Sequence, residues 1–318
     1  MAGDRHRGSR RRSVSARETT PSADASGAPN AVAKMLGVLG DEWTLLIVQQ
    51  ALLGATRYGQ FADRLPVSNT VLSARLRSSV AEDLLSRREY QAHPSRVEYP
   101  VTGRGRSLWP MLTAIWDWER SWVDEHLEAL PAMRHASCGA VFAPMLTCRS
   151  CTAEVTEKTL VTHWGPSGSW ARSIPSTPHR RRSASRRLGA GAQFPQTMSV
   201  IGDRWGFALL VAAFVGVGRF TDFQTQLGAP PATIADRLST LTAEQILQNT
   251  GRRYRLTEKG RAFLPVLMCA LDWAQRWYPD PEGPAVLVTH TACTHRFHPT
   301  LVCDNCCAPL RGSQIITA

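Results

Sequence analysis

The sequence predicts a mainly α-helical protein with small β hairpins, an α+β fold class, in which one domain occurs twice. A stretch after Gly40 recurs after Gly202, at an offset of 162, and Tyr99 recurs as Tyr254, at an offset of 155. A single seven-residue deletion in the second copy explains both offsets. The spacing H-x2-C-x9-C-x2-C also recurs after a Trp-rich segment in each copy, as His135, Cys138, Cys148 and Cys151 and as His290, Cys293, Cys303 and Cys306.

Length and composition narrow the class of protein. The 318 residues suffice for two domains of about 130 residues, each able to bury its own core. No apolar stretch is long enough to span a membrane or to serve as a signal peptide, so we expect a cytoplasmic protein with no membrane partner. Six of the eight cysteines lie in the repeated sets, which in a reducing compartment favours metal binding over disulfides.

The net charge of +11 is concentrated in two segments. Residues 1–28 carry six Arg and three acids, and residues 165–193 carry six Arg and no acid, which leaves about +2 on the rest. Basic flexible segments attract phosphate without reading a base sequence. Composition is equally consistent with basic tails that are only solvated.

Segments rich in Arg, Ser and Gly cannot bury enough apolar surface to fold and therefore delimit the domains. The predicted order is a disordered basic arm at 1–28, domain 1 at 29–130, a Cys/His hairpin at 131–160, a basic flexible linker at 161–193, domain 2 at 194–282 and a second Cys/His hairpin at 283–318.

Copy one begins with helices that have recognisable start and stop signals. Ala31–Leu39 is apolar enough for a short helix, and Asp41 is placed to cap a second helix that Gly54 ends. A short helix around Phe61 follows, and Ser68 is placed to cap the next one. The last two form a helix-turn-helix.

A hairpin and a long helix complete the domain. Leu84–Tyr90 and Arg96–Val101 are β-type runs, and Thr102 precedes a long amphipathic helix. Helices, hairpin and final helix in this order form a winged helix. Copy two repeats the order with Phe207–Val215, Phe220–Leu227, Thr233–Leu241, the strands Leu247–Asn249 and Arg253–Leu256, and Glu258–Trp277.

Several motifs resemble the HxlR-type winged helix-turn-helix transcriptional regulators of bacteria, which are related to the MarR group. In copy one they are V-L-G-D-E-W-T-L-L-I-V at 38–48, R-Y-G-Q-F at 57–61 and V-E-Y-P-V-T at 97–102, and copy two has Y-R-L-T-E-K-G-R at 254–261. The resemblance implies a dimer on double-stranded DNA, with a recognition helix in the major groove and the hairpin on backbone or minor groove. Many members carry a sensor cysteine just before the first helix, but residues 27–30 contain none, so a redox-sensing role is not carried over.

Two copies in one chain imply that the dimer forms internally, as a pseudo-dimer. We expect the contact to run through the helices that bear Trp116, Trp118 and Trp122 and, in copy two, Trp273 and Trp277. Further homodimerisation of the whole chain stays open.

A recognition helix needs short polar groups in its first turn to face base edges, and basic groups farther along to hold phosphates. In copy one the candidates for base contact are Asn69, Thr70 and Ser73, next to Ser68 at the helix start, and those for phosphate or wing contact are Arg75, Arg77 and Arg96. The alternative is that the polar positions are only solvated and that Arg75 pairs with a neighbouring carboxylate.

Copy two differs at the same helix. It has Pro230, Pro231 and Ala232 where copy one has Ser68, Asn69 and Thr70, so its first turn offers no side-chain donors. The candidates for DNA contact that remain there are Thr233, Asp236, Arg237, Arg252 and Arg253. We therefore predict that copy one reads the sequence and that copy two grips the backbone or serves as the pairing partner.

The repeated Cys/His spacing is typical of tetrahedral zinc, because each ligand pair can bind from a tight turn. We predict one structural zinc ion per copy, held by His135, Cys138, Cys148 and Cys151 and by His290, Cys293, Cys303 and Cys306. Reduced structural thiols or a redox-active Cys148–Cys151 pair are the alternatives. His295, His298 and Cys307 could substitute as ligands in copy two.

The leading interpretation is a sequence-specific DNA-binding transcriptional regulator, a repressor associated with the nucleoid. The rival is a protein-interaction adaptor whose DNA surface has partly decayed and whose zinc ribbons are structural. An enzyme is not expected, because the sequence offers no phosphate-binding Gly loop, no nucleophile with a base and no open metal site.

Overall fold

The computed structural model describes residues 27–93, 95–124, 130–175 and 194–317. Most of the predicted basic arm and residues 176–193 of the predicted linker lie outside the described residues.

Copy one forms the predicted helix-turn-helix and wing, followed by strands. Its elements are α1 Ala31–Leu39, α2 Glu42–Leu52, α3 Tyr58–Arg64, α4 Asn69–Ala81, β1 Arg88–Gln91, β2 Arg96–Glu98, α5 Gly103–Arg106, α6 Trp109–Trp122, β3 Met133–His135, β4 Pro144–Cys148, β5 Leu160–Trp164 and α7 Trp170–Ser173. The side chains of Asp41 and Ser68 accept hydrogen bonds from the backbone N–H groups of Thr44 and Val71. Both predicted caps are confirmed.

Copy two repeats this order. Its elements are α8 Pro195–Ile201, α9 Arg204–Phe214, α10 Phe220–Leu227, α11 Pro231–Ala243, β6 Leu247–Asn249, β7 Tyr254–Leu256, α12 Glu258–Arg261, α13 Leu264–Trp277, β8 Val286–His290, β9 Pro299–Cys303 and β10 Ile315–Thr317. No side chain caps α11, which begins with Pro231 after Pro230.

The long helix predicted after the wing is broken in both copies. Thr102 caps α5, and two residues separate the end of α5 from a new helix, α6, which has Pro110 in its first turn. Copy two breaks in the same way before Pro265. Proline lacks the N–H of a helix interior but fits the first turn, so it starts the second helix instead of continuing the first.

The first part of the predicted linker is folded. Residues 161–175 contain most of β5 and all of α7, and the rings of Trp164 and Trp170 meet edge to face at 5.0 Å. The Arg172 guanidinium, almost buried, contacts Asp280 at 3.1 Å and Glu282 at 2.8 Å. Aromatic packing and paired charge explain why this Ser- and Gly-containing segment is ordered.

The strands after the winged helices pair between the copies. In the described residues β3 pairs with β10, β5 with β8 and β4 with β9, all antiparallel. The central pair joins Leu146 to Leu301, which occupy equivalent positions at the offset of 155. A contact in which equivalent residues meet is the mark of a two-fold arrangement. Short bridges such as Arg134 with Val141 form local turns within a copy, but the strands complete their hydrogen bonding with the other copy, so the two Cys/His segments pack as one unit.

The final helices, α6 and α13, also pack on each other across the copies. The buried Trp118 indole donates to the carbonyl oxygen of Lys259 at 3.0 Å, and the Trp273 indole donates to that of Arg104 at 3.3 Å. The two bonds join equivalent residues in opposite directions, so this contact follows the same approximate two-fold symmetry. In the part of the chain that the structure describes, no helix has both the length and the apolar character that crossing a membrane requires.

We expect Trp118→Ala to lower the free energy of unfolding by about 3–5 kcal/mol, because it empties a buried site against Phe263, whose ring lies 4.9 Å away. Chemical denaturation measures the loss. Trp122→Ala, at a partly exposed position of the same helix, is the control and should cost less than half as much. Equal losses would show that the inter-copy contact of Trp118 adds nothing.

Candidate functional site

A small polar cluster organises the first turn of α4. Asn69 and Thr70 are exposed, and Ser73 is half-buried. The Tyr58 hydroxyl, on α3, donates to Asn69 Oδ1 at 3.1 Å, and the Ser73 hydroxyl lies 3.5 Å from that of Tyr58. Because Asn69 is engaged through Oδ1, its Nδ2 group still has donors to present at the surface.

Copy two lacks all three side chains of this polar cluster. At the offset of 162 from Tyr58, Asn69 and Ser73 stand Phe220, Pro231 and Ala235, none with a side-chain hydrogen-bonding group. The first two positions of α11, Pro231 and Ala232, can therefore present only backbone and small apolar groups, and the half-buried Thr233 is the hydroxyl that follows them.

One feature of the helix-turn-helix is present in both copies. Arg75 Nε lies 3.1 Å from Asp41 Oδ2, and Arg237 Nε lies 3.1 Å from Asp203 Oδ1. In each case a residue of the candidate recognition helix is tied to the N-cap of the helix behind it. For Arg75 this contact is the alternative named from the sequence, in which the guanidinium pairs with a neighbouring carboxylate. Contact of Arg75 and Arg237 with DNA stays a prediction.

The other candidate residues lie at the surface or close to it. Arg77 and Arg96 are exposed on α4 and on the wing, Arg252 and Arg253 are exposed in the short wing of copy two, Ser68 is exposed at the start of α4, and Thr233 is half-buried on α11. Asp236 is exposed and lies 3.6 Å from Arg237. An exposed carboxylate on α11 repels phosphate, and α4 has Ala74 at the equivalent position.

The wing of copy one is held by contacts that the sequence did not reveal. The Arg57 guanidinium lies 4.8 Å from the Tyr90 ring centre, and Arg88 Nε donates to Glu98 Oε1 at 2.6 Å across the two strands. These contacts join the start of α3 to the hairpin and orient the wing beside α4.

The eight predicted Cys/His ligands form two clusters, and each cluster draws on both copies. One consists of His135, Cys138, Cys303 and Cys306, and the other of Cys148, Cys151, His290 and Cys293. In each cluster the candidate ligand atoms lie within 4.8 Å of one another, so each could hold a metal ion.

The grouping of ligands by copy is therefore corrected. Each H-x2-C turn meets the C-x2-C turn of the other copy, because β4 and β9 pair with each other and carry their terminal cysteines across the two-fold contact. Spacing along the chain identified the ligands but could not identify their partners.

The ligand atoms are placed similarly in both clusters. Cys138 Sγ lies 3.9 Å from Cys303 Sγ, and His135 Nδ1 lies 3.4 Å from Cys306 Sγ. In the other cluster Cys148 Sγ lies 3.9 Å from Cys293 Sγ, and His290 Nδ1 lies 3.3 Å from Cys151 Sγ. Sulfur atoms this far apart are not disulfide-bonded.

Both imidazoles are oriented in the same way. His135 and His290 are fully buried and turn Nδ1 toward the thiols, while Nε2 has no hydrogen-bond partner among the described residues. His295, His298 and Cys307, considered above as substitutes, lie outside both clusters, and His298 Nδ1 instead contacts Asp272 at 2.9 Å.

Backbone hydrogen bonding favours the thiolate at one of these positions. The N–H of Ala140 is the main cause that lowers the pKa of Cys138 to about 6, with help from His135 and Cys306. A thiolate is the form in which cysteine binds metal.

The HxlR-like helix-turn-helix family model matches residues 38–127 and 200–282, more than half of the chain. The chain belongs to this family. The two matched segments contain both helix-turn-helix units and both wings, so the family accounts for the winged helices but not for the clusters.

Relatives of this HxlR-like chain are described as regulators. An uncharacterized HTH-type transcriptional regulator of Mycobacterium tuberculosis is 36% identical over 139 residues, which cover 42% of this chain and 85% of the relative. YvaP of Bacillus subtilis, also an uncharacterized HTH-type transcriptional regulator, is 36% identical over 92 residues, or 29% of this chain and 85% of YvaP. A solved structure of a candidate transcription factor is 29% identical, with a TM-score of 0.37, and the match covers 42% of this chain and 92% of that one. The chain is thus similar to helix-turn-helix transcriptional regulators.

Tyr58 was not among the site residues predicted from the sequence, although it lies in the R-Y-G-Q-F motif at 57–61. The signal available in the sequence was that Tyr58 has a hydroxyl and that the equivalent residue of copy two, Phe220, has none. Ten residues separate Tyr58 from Asn69 along the chain, and only the turn between α3 and α4 brings their side chains together.

Two neighbouring carboxylates, Asp117 and Asp304, lie beside the cluster that contains Cys303 and Cys306 and distinguish the two halves. Burial, followed by the nearby Asp304 carboxylate, raises the pKa of Asp117 to about 7, with Arg120 acting against the rise. At the equivalent position, Asp272 instead contacts His298 at 2.9 Å. Asp117 therefore faces a like charge where its counterpart has a partner.

We expect Asp117→Asn to raise the free energy of unfolding at pH 8 by on the order of 2 kcal/mol. The pKa of Asp117 is higher in the folded than in the unfolded state, so its ionised form destabilises the fold, fully above about pH 7 and less as the pH falls toward 4. The advantage of the variant over the wild type should thus shrink between pH 8 and pH 6 in denaturation curves. Asp272→Asn is the matched control and should show no such gain; an advantage of Asp117→Asn that does not change with pH would contradict this account.

Proposed function

We propose that the protein is a sequence-specific DNA-binding transcriptional regulator in which α4 of copy one reads the major groove. The observation that carries this proposal is the exposed polar turn of Asn69 and Thr70, held by Tyr58, on the helix that the HxlR-like family uses for recognition. Side-chain amides and hydroxyls at the start of such a helix are suited to base edges. The exposed Arg77 and Arg96 would contact phosphates beside it.

We infer that copy two takes the place of the second subunit in an internal pseudo-dimer. The support is the two-fold contact of α6 with α13, together with the three strand pairs outside the wings, each of which joins one copy to the other. With Pro231 in its first turn and Asp236 exposed, α11 would read little sequence. Copy two would instead add contacts to the DNA backbone through Arg252 and Arg253 of its wing. A protein bound across a promoter would exclude RNA polymerase, so we expect it to act as a repressor. We also expect it to be cytoplasmic and associated with the nucleoid.

The second candidate function is a protein-interaction adaptor. The loss of the whole polar cluster on α11 favours it, because a surface under selection for DNA contact would keep such groups. The intact cluster on α4 favours DNA reading instead, and DNA-binding measurements separate the two.

We propose that the metal in both clusters is structural zinc. With Zn–S bonds near 2.3 Å and Zn–N bonds near 2.05 Å, a tetrahedron has S–S edges of about 3.8 Å and S–N edges of about 3.5 Å. The S–S distances of 3.9 Å and the S–N distances of 3.3–3.5 Å agree with these edges. Four protein ligands leave no open position, so zinc would tie the copies together and would not act as a catalyst.

Elemental analysis of the purified chain should give about two zinc ions per molecule, one for each set of four ligands. Removing His135, Cys138, Cys303 and Cys306 together, with Ala for His and Ser for Cys, should leave about one, because the other cluster stays complete.

The matched control replaces the same number of ligands within one copy, His135, Cys138, Cys148 and Cys151. It damages both clusters and should leave almost no tightly bound zinc. If this control retained one ion and the first variant none, each copy would bind its own metal, and the shared clusters would be wrong.

Binding sites should first be selected from a random pool of double-stranded DNA. On the preferred site, Asn69→Ala should cost about 1–3 kcal/mol and relax specificity at the base pair it contacts. Arg253→Ala, in copy two, should weaken all sequences alike and reduce the slope of log affinity against log salt by about one phosphate contact. Fluorescence anisotropy with preferred and scrambled duplexes measures both effects.

Thr233→Ala, on α11, is the control for the loss of a side chain at a recognition helix. It should leave the preferred sequence unchanged. An equal loss of specificity in both helices would make the copies equivalent readers, and no effect of any variant on DNA binding would favour the adaptor.

A further inference from the structure

A cleft of about 360 Å³, which we call the cationic cleft, lies between α13 and the strands β8 and β9. Its polar walls are Arg149, Asp272, Gln275, Arg276, Arg296 and His298. Arg149 comes from copy one, in the turn that follows β4, and the other five come from copy two. The volume lies within the range of small-molecule sites, about 300–1,000 Å³. Because both copies line the cleft, a molecule bound there would bridge the two halves.

The arginines of the cationic cleft carry positive charge that no acid neutralises. Arg149, Arg276 and Arg296 are exposed, and no carboxylate among the described residues forms an ion pair with any of them. Among the described residues that line the cleft, Asp272 alone is acidic, and its Oδ1 lies 2.9 Å from His298 Nδ1. Positive charge is therefore in excess, and the one carboxylate already has a partner.

The floor of the cationic cleft is apolar, and its residues are Met268, Leu271, Val286, Val288 and Phe297. One guanidinium is held beside it, because Arg149 Nη2 donates to the carbonyl oxygen of Pro299 at 3.3 Å. A ligand that fits needs an apolar body for the floor and an anionic group for the arginines. The phosphates of a DNA backbone would meet the arginines but would place nothing on the floor, so a small molecule fits better.

The equivalent place in the other half has the opposite charge. At the offset of 155, the counterparts of the three arginines and the histidine are Asp304, Ser121, Val141 and Ala143. Arg120 stands there in place of Gln275, but the neighbouring carboxylates of Asp117 and Asp304 outnumber it. An anion would be repelled there and attracted in the cationic cleft. The shared scaffold accepts either charge, so the fold does not require the arginines.

We propose that the cationic cleft binds a small organic anion, with its apolar body on the floor and a carboxylate, sulfate or phosphate group against the guanidinium groups. A guanidinium presents a planar fork of N–H donors that matches such oxyanions. The residues that carry this inference lie outside both helix-turn-helix units, so it does not depend on the proposed DNA-binding function.

The full-length protein is titrated, in the absence of DNA, with 1-anilinonaphthalene-8-sulfonate, a fluorescent anion with apolar rings. The wild type should show saturable binding that weakens as salt is added, because charges at exposed sites are screened. N-phenyl-1-naphthylamine has the same rings without the sulfonate and should bind about tenfold more weakly, since it cannot form hydrogen bonds of an anion with the arginines.

Two variants install the residues of the other half, Arg276→Ser and Arg296→Val. Each should weaken binding of the anion about fivefold and leave binding of the neutral probe unchanged, because one charged hydrogen-bond donor is lost. Arg276→Lys keeps the charge and should retain more affinity than Arg276→Ser. Arg87→Ser removes an exposed arginine of copy one that does not line the cleft, and this matched control should bind the anion as the wild type does.

An absence of saturable binding, equal affinity for the two probes, or wild-type affinity for the anion in both arginine variants overturns the site. The same variants are then tested on DNA. If Arg276→Ser and Arg296→Val weaken DNA binding while anion binding stays unchanged, the arginines contact DNA phosphates, and the small-molecule site is overturned in favour of a larger DNA surface.

Discussion

The exchange of strands between the two copies is the constraint on which the rest of the structure depends. Leu146 and Leu301 meet at the centre of this exchange, and the cysteines at the ends of their strands reach ligands of the opposite copy. Neither cluster can form within one copy alone. The two winged helices therefore cannot separate without opening both clusters and the packing of α6 on α13, which makes their relative placement a property of folding rather than of association.

Because both halves of the two-fold arrangement lie in one chain, each can change without changing the other. A homodimer must repeat every substitution at both equivalent positions, whereas this chain has Tyr58 opposite Phe220, Asp117 opposite Asp272 and Trp116 opposite Leu271. These differences give one half a polar turn at the start of its candidate recognition helix and leave the other half without one. Duplication within one chain thus allows the two halves of a symmetric scaffold to differ in side-chain chemistry.

What both copies retain is the support of the helix-turn-helix. The Asp41–Arg75 and Asp203–Arg237 contacts have the same length and join the same positions. Each fixes the candidate recognition helix to the N-cap of the helix behind it, at partly exposed sites where an ion pair contributes orientation more than stability. The residues at the start of the candidate recognition helix differ between the copies, while the contact that orients this helix is the same.

Local features could be derived from the sequence because their causes lie within a few residues. The caps at Asp41 and Ser68, the positions of the wings and the choice of the eight Cys/His residues that meet in the two clusters depend on spacing and residue type alone. Their combination could not be derived, since H-x2-C and C-x2-C turns have the same spacing whichever copy supplies the partner, and only long-range strand pairing selects it. The contact of Tyr58 with Asn69 likewise required the tertiary structure, because ten residues separate the two along the chain and only the turn between α3 and α4 brings them together.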